Sequence, residues 1–337
     1  MVDLAALVLL IRRPLPILAG LALVLGGCTG VIFHPMRELV RTPDQIGLEY
    51  EELEFEAADG VRLHGWLLPA RAPRRGSILF LHGNAENIST HIASVAWLPA
   101  RGFDVLLFDY RGYGRSEGSP SLAGLQLDVE AALATLLARP EIDPDRIVVF
   151  GQSLGASLAI TALATSPRRR QIHALVVEGA FTSYRELARE KLAGFWLTWP
   201  LQVPLGLTID DSYRPIDAIG ELAPMPLLIV HGEADRVVPP DHALALYEAA
   251  RPPKTLWLVP GAGHISAFAT KANRAALVDY LTQALDRVDA KNHCQVCNLP
   301  RRSERDPRTW SLESSPQLPV RDRSRGPVSA AVLRVPG

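Results

Sequence analysis

Apolar and polar positions follow two different rhythms along the middle of this chain. The stretch "EELEFEAADGVRLHGWLLP" (51–69) alternates apolar and polar residues and carries Asp59-Gly60 at its centre. Period-two alternation around an Asp-Gly pair predicts a β-hairpin. Continuous apolar runs bounded by Gly, Pro or Asp follow: "SILFLHG" from Ser77, "FDVLLFDY" from Phe103, "RIVVFG" from Arg146, "HALVVEG" from His173, "PLLIVHG" from Pro226 and "TLWLVPG" from Thr255. Short runs without alternation suit strands buried on both faces.

Stretches of helical period separate several of these runs. Residues 121–138 set Leu122, Leu125, Val129, Ala132, Leu133 and Leu136 at helical spacing, which predicts an amphipathic helix. "DHALALYEAA" from Asp241 and "NRAALVDYLTQALDRV" from Asn273 predict two more. Strand, helix and strand in repetition imply a mostly parallel sheet with helices on both faces. The reading is one α/β domain from about residue 45 to 290, with no repeat beyond the βα unit.

The two ends break the rhythm. Arg12-Arg13 precede "PLPILAGLALVLGGC", an apolar run that ends in small residues. This is the order of a secretory signal, and Leu25-Gly26-Gly27-Cys28 resembles a bacterial lipobox, in which the cysteine is acylated after cleavage. The expectation is a signal peptide over 1–27, lipidation at Cys28, and a membrane-anchored lipoprotein of the bacterial cell envelope facing the periplasm or exterior. The competing reading is an uncleaved membrane helix over 14–33, close to the roughly 20 residues a span needs. From Lys291 onward the chain is rich in Arg, Ser and Pro, with nine Lys/Arg against four Asp/Glu. Such composition predicts a disordered tail over 291–337. Cys294-x-x-Cys297 beside His293 supplies half a zinc site without a second pair, so no metal is expected.

Composition narrows the function classes. The 337 residues are 48% apolar and 21% charged, and the formal net charge is -1. These values fit a globular rather than a disordered chain and give no reason to expect a nucleic-acid partner. Three cysteines, Cys28, Cys294 and Cys297, exclude a disulfide framework.

The candidate chemistry sits where predicted strands end. Gly151-Gln152-Ser153-Leu154-Gly155 follows a buried strand and opens the helix "LGASLAITALA". Strand, tight turn and helix around G-x-S-x-G form the context of a nucleophile elbow. A serine hydroxyl needs a base. Of nine histidines, His264 in "VPGAGHIS" follows the last strand of the regular pattern, whereas His82 and His231 end strands and suit loop support. Asp235 in "HGEADRVVP" supplies the orienting carboxylate, with Glu233 as runner-up. The order Ser153, Asp235, His264 is that of an α/β-hydrolase triad. The oxyanion donors expected are the backbone N–H groups of Leu154 and of Asn84 in "LHGNAENIS".

With "VIFHPMRE", "DGVRLHGWLLP", "LHGNAENIS", "FDYRGYGRSEGSPS", "GQSLGAS", "HGEADRVVP" and "GAGH" in this order, the chain resembles α/β-hydrolases of the Bem46-type and serine aminopeptidase-like (S33) group. The resemblance covers about residues 31 to 268 and implies an α/β-hydrolase fold with a small lid between the sixth and seventh strands. The family's usual glycine after "HGNA" is Glu86 here. No metal or organic cofactor is implied.

The expected activity is hydrolysis of a carboxylic ester or related acyl bond through an acyl-enzyme, on a small-molecule substrate. The segment 181–224 holds "GFWLTWPLQVPLGL", with Phe195, Trp196 and Trp199; it reads equally as an apolar acyl-binding lid or as ordinary lid packing. A peptidase is the alternative, in which Glu86 or Glu178 would hold a substrate amine. A non-catalytic binding lipoprotein is the reading from a different class.

Overall fold

The computed structural model describes residues 32–71, 73–193, 201–297 and 331–334, with 288–297 and 331–334 by backbone alone. The predicted hairpin is present as β1 (Glu51–Glu56) and β2 (Arg62–Leu68), paired antiparallel. The six apolar runs become β3 (Gly76–Leu81), β4 (Phe103–Phe108), β5 (Ile147–Gln152), β6 (Ala174–Glu178), β7 (Leu227–Gly232) and β8 (Lys254–Val259). Sheet order is β1-β2-β4-β3-β5-β6-β7-β8, and every pairing from β4 to β8 is parallel.

Period-two alternation inside the buried strands feeds two cores. Leu79, Leu81, Val149 and Leu175 face one side, with helices α1 (Leu122–Leu137) and α2 (Leu154–Thr165). Ile78, Phe80, Val148, Phe150 and Val176 face the other, where Leu277, Leu281 and Leu285 of the C-terminal helix cover them. Ser121 caps α1, its hydroxyl accepting the N–H of Gly124 at 3.1 Å, one of the donors a helix start leaves unpaired.

Between β6 and β7 the chain forms α3 (Tyr184–Ala193) and α4 (Gln202–Gly206). Phe195, Trp196 and Trp199 lie outside the described residues. Helix α5 (Asp241–Ala249) precedes β8, and α6 (Lys271–Cys297) closes the domain.

The C-terminal boundary differs from the expectation at residue 290. Helix α6 continues to Cys297, carrying His293 and Cys294 with it. No proline or glycine interrupts 271–297, and each added residue of a formed helix gains a backbone hydrogen bond. Ala331–Arg334 then adds β9 parallel to β8. Its sequence, AVLR, is apolar enough to pair with an edge strand whose backbone groups would otherwise stand open. Residues 298–330 lie outside the described set. So do 1–31, which hold the signal segment and Cys28. Among the described residues no helix is long and apolar enough to cross a membrane.

Parallel strands align their C-terminal ends on one edge, and that alignment assembles the site. Leu81 of β3 lies opposite Gly151 of β5, Gln152 opposite Glu178 of β6, and Gly232 of β7 opposite Val259 of β8. The segments that follow these residues carry Asn84, Ser153, Asp235 and His264.

Candidate active site

Ser153 stands between β5 and α2 with φ 54° and ψ -115°. Positive φ is uncommon for a non-glycine residue, so the turn is strained, and its neighbours hold it. The Ser153 N–H donates to the carbonyl of Glu178 at 2.8 Å. The flanking glycines permit the close approach. A Cβ at Gly155 would stand 2.1 Å from the Leu81 carbonyl oxygen, and one at Gly151 would stand 2.4 Å from that of Gly155.

The three expected residues meet. Ser153 Oγ lies 2.9 Å from His264 Nε2, and His264 Nδ1 lies 2.7 Å from Asp235 Oδ2. Glu233 is exposed, and Asp235 rather than Glu233 is the partner of His264. Burial opposes ionisation of Asp235. Hydrogen bonds from His231 and His264 and from the Val238 N–H outweigh it and hold the carboxyl well below the usual range. An ionised carboxylate only accepts, so Nδ1 of His264 carries the proton and Nε2 presents its lone pair to the serine hydroxyl. Asp235 Oδ1 also accepts the N–H groups of Val237 and Val238 at 2.8 and 2.9 Å. His231 supports this loop, as expected, donating from Nε2 to the Val238 carbonyl at 2.9 Å.

Leu154 is the first residue of α2, where the helix offers no preceding carbonyl to its N–H. Asn84 lies across the opening. The phenol of Tyr113 stands 2.8 Å from the Asn84 carbonyl and 2.9 Å from its Oδ1. The Asn84 side-chain amide donates to the Ile32 carbonyl at 2.6 Å. Beneath the loop, burial pushes His82 well below the ordinary imidazole range. Its neutral ring donates from Nδ1 to the Gly83 carbonyl at 2.7 Å.

Ser153, Leu154 and Asn84 line a cavity of about 680 Å³ whose other walls include Phe33, Phe181, Leu187, Leu205, Ile209 and Val238. Pockets of this size and apolarity commonly enclose small organic ligands. None of the described residues that line it is acidic, and Lys191 contributes a cation. Its ammonium donates to the Arg236 carbonyl at 3.1 Å, tying α3 to the Asp235 loop.

The two acids considered for holding an amine lie elsewhere. Glu86 is exposed with φ 67°, the left-handed region that explains a glycine at this position in the family. Glu178 is buried at the end of β6. Its Oε2 accepts the Gln152 side-chain amide at 2.7 Å and its Oε1 accepts the Ala267 N–H at 2.8 Å. Burial raises its pKa against these bonds. Several residues that shape the site are tied to it by no spacing rule, although family motifs hold some of them. Glu178 bridges two loops, Tyr113 braces Asn84, and Ile32, Phe33 and His34 wall the cavity, yet no spacing rule connects any of them to Ser153. Among the described residues no cluster of His, Cys, Asp and Glu could hold a metal.

Comparison with known proteins agrees with this architecture. Residues 72–215 match the family described as serine aminopeptidase, S33. The protein YfhR of Escherichia coli (strain K12) is 37% identical over 70% of this chain and 82% of its own length. The α/β-hydrolase domain-containing protein WAV2 of Arabidopsis thaliana is 35% identical over 71% and 81%, and protein bem46 of Schizosaccharomyces pombe is 34% identical over 63% and 69%. Among solved structures, the esterase Pf2001 of Pyrococcus furiosus superposes with a TM-score of 0.60 at 24% identity, over 76% of this chain and 97% of its own. Identity sustained over the domain, on this sheet order, makes the chain a hydrolase of the α/β-hydrolase superfamily, in its Bem46-like and serine aminopeptidase-like (S33) group.

Proposed function

We propose that the protein is a serine hydrolase that cleaves carboxylic esters or related acyl bonds. The observation that carries this reading is the hydrogen-bonded series Asp235, His264, Ser153 opening onto an apolar cavity. His264 Nε2 takes the Ser153 proton as Oγ attacks the substrate carbonyl. Asp235 stabilises the imidazolium that forms and stays ionised itself. The N–H groups of Leu154 and Asn84 receive the oxyanion; one such donor is worth roughly 10²- to 10³-fold in rate. His264 then returns the proton to the leaving alkoxide. Water, activated by the same imidazole, releases the acid from Ser153.

The acyl chain occupies the apolar cavity, with α3 and α4 as its lid. A peptidase that selects a free amino terminus needs a carboxylate near the amine, and the described residues of the cavity wall supply none. The intact relay argues against a purely binding role. Lipidation at Cys28 anchors the enzyme to a membrane of the bacterial envelope in this proposal.

A fluorophosphonate probe tests the nucleophile. The folded wild-type chain is expected to be labelled and Ser153→Ala is not; equal labelling of both, or of neither, overturns the assignment. A panel of p-nitrophenyl esters beside aminoacyl-nitroanilides tests the bond. Turnover of the esters supports the reading, and turnover confined to the anilides replaces it with a peptidase.

A further inference from the structure

We propose that the rim of the cavity is a lipid-docking face and that the acyl substrate enters from a bilayer. The delivery of an ester rests on the acyl-hydrolase reading; the docking rests only on the proposed membrane anchor at or before Cys28. Nine large apolar side chains are exposed among the described residues, and five of them lie on the cavity wall or on and beside α4, which contributes Leu205 to that wall. Leu205 and Val237 line the cavity and are 36% and 47% exposed. Leu201, Val203 and Leu207 on and beside α4 stand 46%, 49% and 66% exposed. Single exposed apolar side chains are ordinary, whereas a group around one opening marks an interaction surface.

The chain itself identifies the occupant. Ile32, Phe33 and His34 line the same cavity. They are fixed there by the Ile32–Asn84 hydrogen bond and by the parallel pairing of His34–Pro35 with Ala85–Glu86. Cys28, the last residue of the apolar run that starts at Pro14, lies four residues upstream of Ile32. Four extended residues reach at most about 14 Å. A lipid on Cys28 and an uncleaved membrane helix therefore have the same consequence: the bilayer surface lies within that distance of the rim. A tether this short keeps the Ile32 side of the molecule facing the membrane, and that side carries the exposed leucines and valines. A leaflet is thus the surface against which these side chains are buried, and the cavity opens toward acyl chains.

The test uses the full chain reconstituted in phosphatidylcholine–phosphatidylglycerol vesicles. Leu207→Trp adds an indole at the rim. With brominated acyl chains in the vesicle, the fluorescence added by this substitution is expected to fall by more than half relative to unbrominated vesicles. Unchanged fluorescence overturns docking, as does shielding of the indole by a second copy, seen as a cross-linked dimer. The triple variant Leu201→Asp, Val203→Asp, Leu207→Asp is expected to lose at least tenfold of the hydrolysis of a long-chain ester held in the vesicle. Its turnover of a soluble short-chain ester should fall at least fivefold less than that. Parallel loss of both, or loss of neither, overturns delivery from the bilayer. Quenching with no hydrolysis of either ester by the wild type overturns the acyl-hydrolase reading and leaves docking standing.

Discussion

Glu178 accepts the backbone N–H of Ala267, three residues beyond His264, at 2.8 Å, while its own carbonyl takes the N–H of Ser153 at 2.8 Å. One buried residue therefore ties the serine turn to the histidine loop. Glu178→Ala is expected to lower kcat by about 10- to 100-fold, the scale on which a misplacement near 1 Å acts, with little change in KM for a soluble ester. Glu178→Gln retains an acceptor for Ala267. Gln152 Oε1 has no partner among the described residues, so a turned Gln152 amide can accept from the new one. Steady-state kinetics of the two variants check this: recovery of most activity in the glutamine variant marks a positioning role.

Asp235 gives stability a pH dependence of known sign. Its carboxyl is held below the ordinary range in the folded chain. The stability it contributes is therefore present above the unfolded-chain pKa, about 3.9, and is lost as pH falls through the lower folded value. Melting temperatures of wild type and Asp235→Asn are expected to differ by a steady margin between pH 7 and about 4 and to begin drawing together only below about pH 4. At neutral pH the same variant should lose roughly 10⁴-fold in kcat, because the His264 tautomer is no longer fixed.

Glu86 occupies a left-handed backbone position, φ 67°, which costs a non-glycine residue about 1–2 kcal/mol. Glycine recovers that cost and returns part of it, about 0.4–1 kcal/mol, through the freer unfolded chain. Glu86→Gly is expected to raise the melting temperature by about 1–3 °C without altering ester turnover. A lower melting temperature in a thermal scan would show that Glu86 side-chain contacts outweigh the backbone strain.

Asp128 is fully buried and binds Arg111 three times: its carboxylate accepts the Arg111 backbone N–H at 2.9 Å, Nε at 2.9 Å and Nη2 at 2.7 Å. Removing one partner of a buried pair typically costs about 3–5 kcal/mol. Asp128→Ala is expected to lower the urea midpoint accordingly. Arg62→Ala, which breaks the exposed pair with Glu117, should leave the midpoint where it was, since screened surface pairs contribute little.

Most of the sheet was legible from pattern because strands buried on both faces need unbroken apolar runs. Those of β3 to β8 are bounded by Gly, Pro or Asp. The far end was not legible. A polar, arginine-rich composition argued for disorder from Lys291, whereas helix continuity carried α6 to Cys297 and an open strand edge took up Ala331–Arg334. Composition averages over a segment, and neither effect depends on the average.

The α/β order, the strained turn at Ser153, and the placement of Asp235 and His264 after separate strands are readable in the residues alone. These are local properties: an apolar run, a pair of glycines, a loop after a strand. Which carboxylate reaches His264, where Glu178 points, and what walls the cavity depend on how the folded elements pack. Asp235 and Glu233 are two residues apart and chemically alike, and the loop conformation turns one inward and leaves the other exposed. Ile32 and Asn84 are 52 residues apart. Contacts at that separation are set by how the strands stack, and no periodicity within either segment encodes them.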